Sequence, residues 1–208
     1  MRELPDVLEE QTRRVVECST CGNHHAVYSA SSFCPVCGPR PAGEKVLEAI
    51  VAAREALAVE DRLGEDERET LRAAGVFERF AVDAIESTVS LFEIFAREQF
   101  AQRVSGAQEH TKGKGNVFQR LDDTAELFSE HAGVDLVELA GDERWQRLKR
   151  TFARRHVLTH NDGIVDDKFL SQVPDSGLRL GQRLVVRRAD ATLALDDLKA
   201  VVHALAGV

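Results

Sequence analysis

The stretch RRHVLTHNDG, residues 154–163, ends the longest basic segment of the chain that has helical periodicity. Trp145, Leu148 and Phe152 recur before it, and a step of about 100° per residue places Arg155 on the flank of this apolar stripe. The other arginines of the segment are expected on the opposite, solvated side: Arg144, Arg147, Arg150 and Arg154. Arg155 is therefore expected to line a pocket, to meet a partner or to lie beneath a carboxylate.

Two histidines follow Arg155 in this stretch. His156 and His160 are four residues apart, so they share a face of a helix. The run from Asn161 to Gly163 predicts a helix end, with its glycine as the residue in the left-handed conformation. His160 then lies in the last turn, where the negative end of the helix dipole favours an imidazolium.

The pattern of Arg155, four intervening residues and His160, with the polar His156 directly after the arginine, resembles the R-x4-H motif of the HEPN superfamily. The resemblance extends from about Glu44 to Val208, through the order of the helices and the short tail and final helix after the motif. It implies an all-α helical bundle that forms a homodimer. Many proteins of this superfamily are metal-independent endoribonucleases in toxin–antitoxin, phage-defence or RNA-processing systems.

The resemblance also implies roles for the residues of the motif. Arg155, His160 and His156 are expected to be catalytic, and Asn161 and Arg154 are expected to bind the substrate. Residues five apart are about 140° out of phase on a helix, so Arg155 and His160 converge only if the helix end bends or a second copy supplies one of them. RNA, a second copy of the chain, and an antitoxin or other regulatory protein are the expected partners.

Three other interpretations of these residues are open. His156 and His160, with Asp162 or Asp166 nearby, could hold a catalytic metal ion. The bundle could be a non-catalytic module that binds RNA, a nucleotide or a partner protein. Arg155 could also be a buried ion-pair residue of a structural bundle.

The four cysteines form two C-x-x-C pairs near the N-terminus, Cys18 with Cys21 and Cys34 with Cys37. A glycine follows each pair, and it allows a tight turn in which backbone amides point at the thiolates. Two disulfides are disfavoured in a reducing cytosol, and a redox pair would not need a second copy. The pattern predicts a zinc ribbon in which four thiolates hold a structural Zn²⁺, and no catalytic metal is expected.

The stretch from Gly38 to Gly43 predicts a linker because proline and glycine interrupt the pattern there. It divides the chain into an N-terminal arm with the zinc ribbon, residues 1–43, and a HEPN-like helical domain, residues 44–208. A short hairpin is expected between the cysteine pairs, through Ala26 to Tyr28. In the helical domain, helices are expected at about 44–63, 76–104, 117–131, 134–139, 142–160 and 191–205, and a small hairpin arm at about 178–186.

The composition is that of a soluble globular protein, because 43% of the 208 residues are hydrophobic and no apolar run approaches the length of a membrane span. The start lacks the apolar segment of a signal peptide, so a cytoplasmic location is expected. A net charge of −8 excludes a general polyanion-binding protein. A nucleic-acid site must therefore be a local basic patch, and the six cations from Arg144 to Arg155 supply one unless neighbouring acids balance them.

Two acidic residues on the long helix could meet the motif. Glu86 and Glu93 lie seven apart on one face of that helix, so one of them could pair with Arg155 in a bundle. They could equally form an acidic stripe in solvent.

Overall fold

The computed structural model describes residues 13–27 and 33–207. In these residues the protein is mainly helical, and the named strands lie in the N-terminal part around the cysteines. The prediction of a helical protein with a small N-terminal β module is confirmed. None of the helices in the described ranges combines the length and the apolar character that crossing a membrane requires.

The N-terminal module contains two short antiparallel hairpins. Its strands are β1 Arg14–Glu17, β2 His24–Val27, β3 Phe33–Cys34 and β4 Gly38–Pro39. β1 pairs with β2 around the first C-x-x-C pair, and β3 pairs with β4 around the second. The sequence analysis expected a hairpin between the two pairs, but Ala26 instead pairs with Val15, which precedes the first pair. Tyr28, also expected in that hairpin, lies outside the described residues.

The helices of the described chain follow one another from residue 42. They are α1 Ala42–Leu57, α2 Glu65–Ala73, α3 Val76–Arg103, α4 Ala107–Thr111, α5 Leu121–Leu127, α6 Leu136–Ala140, α7 Asp142–His160, α8 Asp167–Gln172 and α9 Arg188–Ala206. Short 3-10 turns occur at Val59–Arg62 and Val117–Gln119, and a π-turn at Phe128–Ala132 continues α5. The predicted long helix and final helix are confirmed within a few residues.

The long helix α3 is the centre of the bundle. Its buried residues recur every three or four positions, and they include Phe92, Phe95 and Phe100. This spacing gives α3 a continuous apolar side, against which α1, α7 and α9 pack. The motif helix α7 therefore rests on a rigid scaffold.

Three short helices, α2, α4 and α8, occur where the sequence analysis predicted no helix. No residue of α2 is buried, so the helix lacks the apolar periodicity that would have predicted it. Acidic residues fill its first turn, and the carboxylate of Glu67 accepts the amide of Gly64 at 3.0 Å. α8 has six residues and begins at a capping aspartate, Asp166.

Residues 178–186, which were expected to form a hairpin of their own, pair with another segment of the chain. Ile164 forms an antiparallel bridge with Arg183, and the amide of Leu184 donates to the carbonyl of Gly163 at 2.8 Å. The segment thus pairs with the chain directly after the motif. Leu184 and Val186 are buried, which explains the alternating pattern without a hairpin of its own.

Candidate functional site

The motif lies on the last two turns of α7. Trp145, Leu148 and Val157 of this helix are almost completely buried, and they anchor it in the core. Arg155 and His156 are half-buried, whereas His160 is exposed at the end of the helix. The predicted helix end at His160 is confirmed. All three motif side chains are partly or wholly exposed, so a ligand could reach them.

The helix end uses two residues with positive φ. Gly163 has φ +74°, so the prediction of a left-handed glycine is confirmed. Asp162 precedes it with φ +49°, and no other non-glycine residue of the described chain has a positive φ. An aspartate tolerates it better than most residues, because its short polar side chain can bond locally.

Asn161, expected to bind the substrate, makes a hydrogen bond within the chain that the sequence analysis did not predict. Its side-chain amide donates to Asp166, which also accepts the amide of Phe169 at 2.7 Å and so caps α8. The hydrogen bond from Phe169, followed by the one from Asn161, holds the pKa of Asp166 below its usual range. Asn161 thus ties the end of α7 to the start of α8 and positions the loop between them.

The two histidines of the motif lie next to each other, as their spacing predicts. The ring centroids of His156 and His160 are 5.0 Å apart. Nε2 of His156 lies 3.4 Å from Nζ of Lys168 on α8, a contact that the sequence analysis did not foresee. Burial, assisted by the charge of Lys168, holds the pKa of His156 below its ordinary value, which favours the neutral imidazole.

The side chain of Arg155 forms no hydrogen bond or ion pair with any residue of the described ranges. The two glutamates considered as its partners are engaged elsewhere, since Glu86 accepts Thr159 at 3.1 Å and Glu93 pairs with Arg97. The interpretation of Arg155 as a buried ion-pair residue therefore finds no support in the described part of the chain. A half-buried guanidinium without an acid is available to an anionic ligand.

Carboxylates engage the remaining cations of α7, so of the two alternatives left open by the sequence, the structure favours a basic face balanced by neighbouring acids. The pairs are Arg144 and Arg147 with Asp197, Lys149 with Asp122, Arg150 with Asp175, and Arg154 with Asp190. Arg144 and Arg147 also point toward α9, where Asp197 is buried, instead of into solvent. Arg154, expected to bind the substrate, lies 3.0 Å from its aspartate.

A cleft opens beside His156. It has a volume of about 460 Å³ and lies between α7, the chain at the start of α5, and α8. Phe152 and Lys168 also line it, whereas neither Arg155 nor His160 belongs to its described lining. Of the three motif residues, only His156 therefore lines this cleft among the described residues.

The four cysteines form the second candidate site. Their sulfur atoms all lie within 4.8 Å of one another, and Sγ of Cys21 is 3.8 Å from Sγ of Cys34. A tetrahedral thiolate site with metal–sulfur bonds of about 2.3 Å has sulfur–sulfur edges of about 3.8 Å. The cysteines are free of disulfides, and the cluster can hold a metal ion.

Backbone amides support the thiolates of this cluster. The amides of Val36 and Cys37 lie 3.4 and 3.5 Å from Sγ of Cys34. Amides of Cys21 and Thr20 lower the pKa of Cys18 to about 6, whereas contact with the sulfur of Cys21 raises the pKa of Cys37 to about 12. Four thiolates so close together repel one another, and a bound cation offsets that repulsion.

The described residues form a group of three or more metal-ligating side chains only at these cysteines. His156 and His160 do not form such a group with Asp162 or Asp166, so the interpretation of the motif as a catalytic metal site is not supported.

The cysteine module contacts the first helix of the bundle through polar side chains. Ser19, between the first two cysteines, donates to the carboxylate of Glu44 at 2.8 Å. Arg40 reaches Glu44 at 3.0 Å and Glu48 at 2.7 Å. These contacts cross the predicted boundary at residue 43, so the module and α1 share an ion-paired junction.

The fold and its two sites define a mainly helical protein with a four-cysteine cluster and a motif of one arginine and two histidines at a helix end. Comparison with models of known families, with characterised proteins and with solved structures finds no match to this chain. The assignment of a function therefore rests on the residues of the sites themselves.

Proposed function

We propose that this protein is a metal-independent endoribonuclease of the HEPN type, whose active site combines residues of two copies of the chain. The observation that carries the proposal is the arrangement at the end of α7. The side chain of Arg155 is half-buried and pairs with no acid among the described residues, and at the end of the same helix His156 lies beside His160 and contacts Lys168 of α8. Such a group of donors suits a phosphodiester.

The chemistry needs no cofactor, because RNA carries its own nucleophile. His156, whose lowered pKa favours the neutral form, takes the proton of the 2′-hydroxyl as the oxygen attacks the adjacent phosphorus. Arg155 binds the nonbridging oxygens while negative charge grows on them. His160 as an imidazolium protonates the departing 5′-oxygen, so the products end in a 2′,3′-cyclic phosphate and a 5′-hydroxyl.

A homodimer completes the proposed site. Arg155 and His160 leave α7 about 140° apart, so one copy of the helix does not aim both side chains at one phosphate. A two-fold axis near the end of α7 would bring Arg155 of one copy to His160 of the other. The proposed biological role is in a toxin–antitoxin, phage-defence or RNA-processing system, where an antitoxin or other regulatory protein would control the enzyme.

The proposed cofactor of the cysteine cluster is one structural Zn²⁺. The four thiolates and the sulfur–sulfur distance of 3.8 Å suit its tetrahedral preference. Four protein ligands leave no open coordination position, so the ion would stabilise the module and take no part in the reaction.

The first test is cleavage of single-stranded and structured RNA in the presence of EDTA, with the metal content of the protein measured afterwards. We expect cleavage by the natural protein, and a loss of about 100-fold or more in Arg155→Ala and in His160→Ala. Arg150→Ala, which removes an exposed cation of the same helix, serves as the control and should retain activity. Equal cleavage of DNA would contradict the mechanism, since DNA lacks the attacking hydroxyl. RNA binding without cleavage would point to a binding module.

A mixing experiment tests the composite site. Arg155→Ala and His160→Ala proteins are inactive alone, but a mixed dimer holds one complete site. Equal amounts that exchange freely should recover roughly a quarter of the natural activity, because half of the dimers are mixed and each has one of two sites. No recovery, with exchange verified by mass, would place Arg155 and His160 of a single copy in each site.

Lys168 should control the protonation of His156. Replacement of Lys168 by glutamine removes a positive charge 3.4 Å from the imidazole, so we expect the pKa of His156 to rise. NMR titration of the imidazole measures this directly, and the acidic limb of cleavage should move to higher pH in parallel. Lys149→Gln is the control, because its ammonium is paired with Asp122 at 2.7 Å. An unchanged His156 titration in Lys168→Gln would remove Lys168 from this role.

A further inference from the structure

The cleft beside His156 is lined by apolar and amide side chains that take no part in the proposed cleavage chemistry. Its apolar part consists of Phe152, Ala153 and Leu121, and amide side chains of Gln119 and Gln172 also line it. Its volume of about 460 Å³ falls within the range of small-ligand sites, roughly 300–1,000 Å³. Such a site accepts a single planar group and not a helix or a duplex.

Most of the charges in the cleft neutralise one another. Lys149 pairs with Asp122 at 2.7 Å, and Arg120 pairs with Asp123. Lys168 has no carboxylate partner among the described residues, and its ammonium contacts His156. The positive charge available to a ligand is therefore concentrated at the end of the cleft where the motif lies.

The other side of the cleft is aromatic and held in place. The ring of Phe152 meets Phe92 of α3 edge to face, with 5.4 Å between ring centroids. The amide of Gln119 donates to Glu93, which fixes that side chain and leaves its carbonyl oxygen to accept from a ligand. Gln172 has no partner among the described residues. An aromatic surface with amide groups suits a nucleobase.

We propose that this cleft binds one unpaired nucleotide, with its base against Phe152 between Gln119 and Gln172 and its phosphate at Lys168 and His156. This inference deepens the proposed ribonuclease function and rests on it for the identity of the substrate. It makes single-stranded RNA the preferred substrate, because a base in a duplex is stacked and paired and does not enter a cleft of this size. Cleavage then occurs beside an unpaired base.

The test is a binding titration that does not depend on cleavage. Adenosine 3′-monophosphate and inorganic phosphate are added separately to the full-length protein, labelled with ¹⁵N, and the amide signals are followed by NMR. We expect the nucleotide to bind at least about tenfold more tightly than phosphate, with shifts at the side-chain amides of Gln119 and Gln172. Equal affinity of the two probes, or shifts confined to other surfaces, would overturn the proposal.

Variants separate the base from the phosphate. Phe152→Leu should weaken nucleotide binding about tenfold without changing phosphate binding, whereas Lys168→Gln should weaken both. Gln172→Ala supplies a surface variant in case Phe152→Leu does not fold, and it should weaken only nucleotide binding. Lys199→Gln, on the opposite helix α9, is the control and should bind both probes normally.

The outcomes also distinguish this inference from the proposed function. Nucleotide binding in the cleft by a protein that cleaves no RNA would support the cleft and reject the ribonuclease. Cleavage that depends on Arg155, without nucleotide binding and with no preference for unpaired RNA, would support the ribonuclease and reject the cleft.

Discussion

Replacement of Asp197 by alanine is expected to lower the free energy of unfolding by about 3 kcal/mol, as truncation of a buried ion pair does. Asp197 is 3% exposed in the middle of α9. Both of its oxygens accept from Arg147, at 2.8 and 2.7 Å, and Arg144 lies 3.4 Å away. Its removal would leave two partly buried guanidinium groups without a counter-charge. This is costly because the surrounding protein solvates them poorly.

Urea unfolding followed by circular dichroism measures the effect, and the neighbouring residue supplies a matched control. Asp196 is exposed and pairs with Arg54 at the surface, so Asp196→Ala should change the free energy of unfolding by less than about 1 kcal/mol. An Asp197→Ala protein as stable as Asp196→Ala would show that the buried pairs contribute nothing net.

This ion-paired cluster also bears on the candidate site. It joins α7, which carries the motif, to α9, which packs on α1 and α3. A protein that loses Asp197 but remains folded should therefore hold Arg155 and His156 less rigidly. Arg144 and Arg147, which the sequence analysis assigned to solvent, are therefore structural residues of the bundle.

Replacement of Cys34 by serine is expected to unfold the N-terminal module and abolish metal binding, while the helical bundle keeps its structure. In residues 13–27 and 33–40 the buried residues are Cys18 and Cys34 alone, so the module has no apolar core of its own. Structural zinc contributes roughly 10–16 kcal/mol of apparent binding free energy in small domains, which is the scale of the folding energy that would be lost. Serine oxygen is a poor substitute for the thiolate.

Elemental analysis and NMR check this prediction together. The natural protein should contain one zinc per chain, and Cys34→Ser should contain none and lose the dispersed amide signals of β1 to β4. Thr20→Ala, in the exposed turn between Cys18 and Cys21, is the control and should retain the metal. Preserved module signals in metal-free Cys34→Ser would contradict the proposed role of the ion. Two metal ions per natural chain would reopen a metal site at the motif.

Features set by neighbouring residues could be predicted from the sequence. The long apolar periodicity of α3, the end of α7 at His160 and the left-handed Gly163 follow from local spacing and backbone preference. The grouping of the four cysteines also follows from spacing, because each C-x-x-C turn places two thiolates side by side. Helices α2, α4 and α8 were missed because α2 buries no apolar face, while α4 has five residues and α8 has six.

Only the tertiary structure shows which charged side chains have an ion-pair partner among the described residues. Arg147 and Asp197 are fifty residues apart in the chain, and the side chain of Asn161 meets Asp166 only when α8 folds against α7. Helical periodicity gives the direction in which a side chain leaves its own helix, but not what the neighbouring helices present there. The sequence by itself therefore determined where the motif and the thiolates lie. Packing between distant segments gave Arg155 no acid among the residues that the structure describes, and it placed His156 beside a cleft.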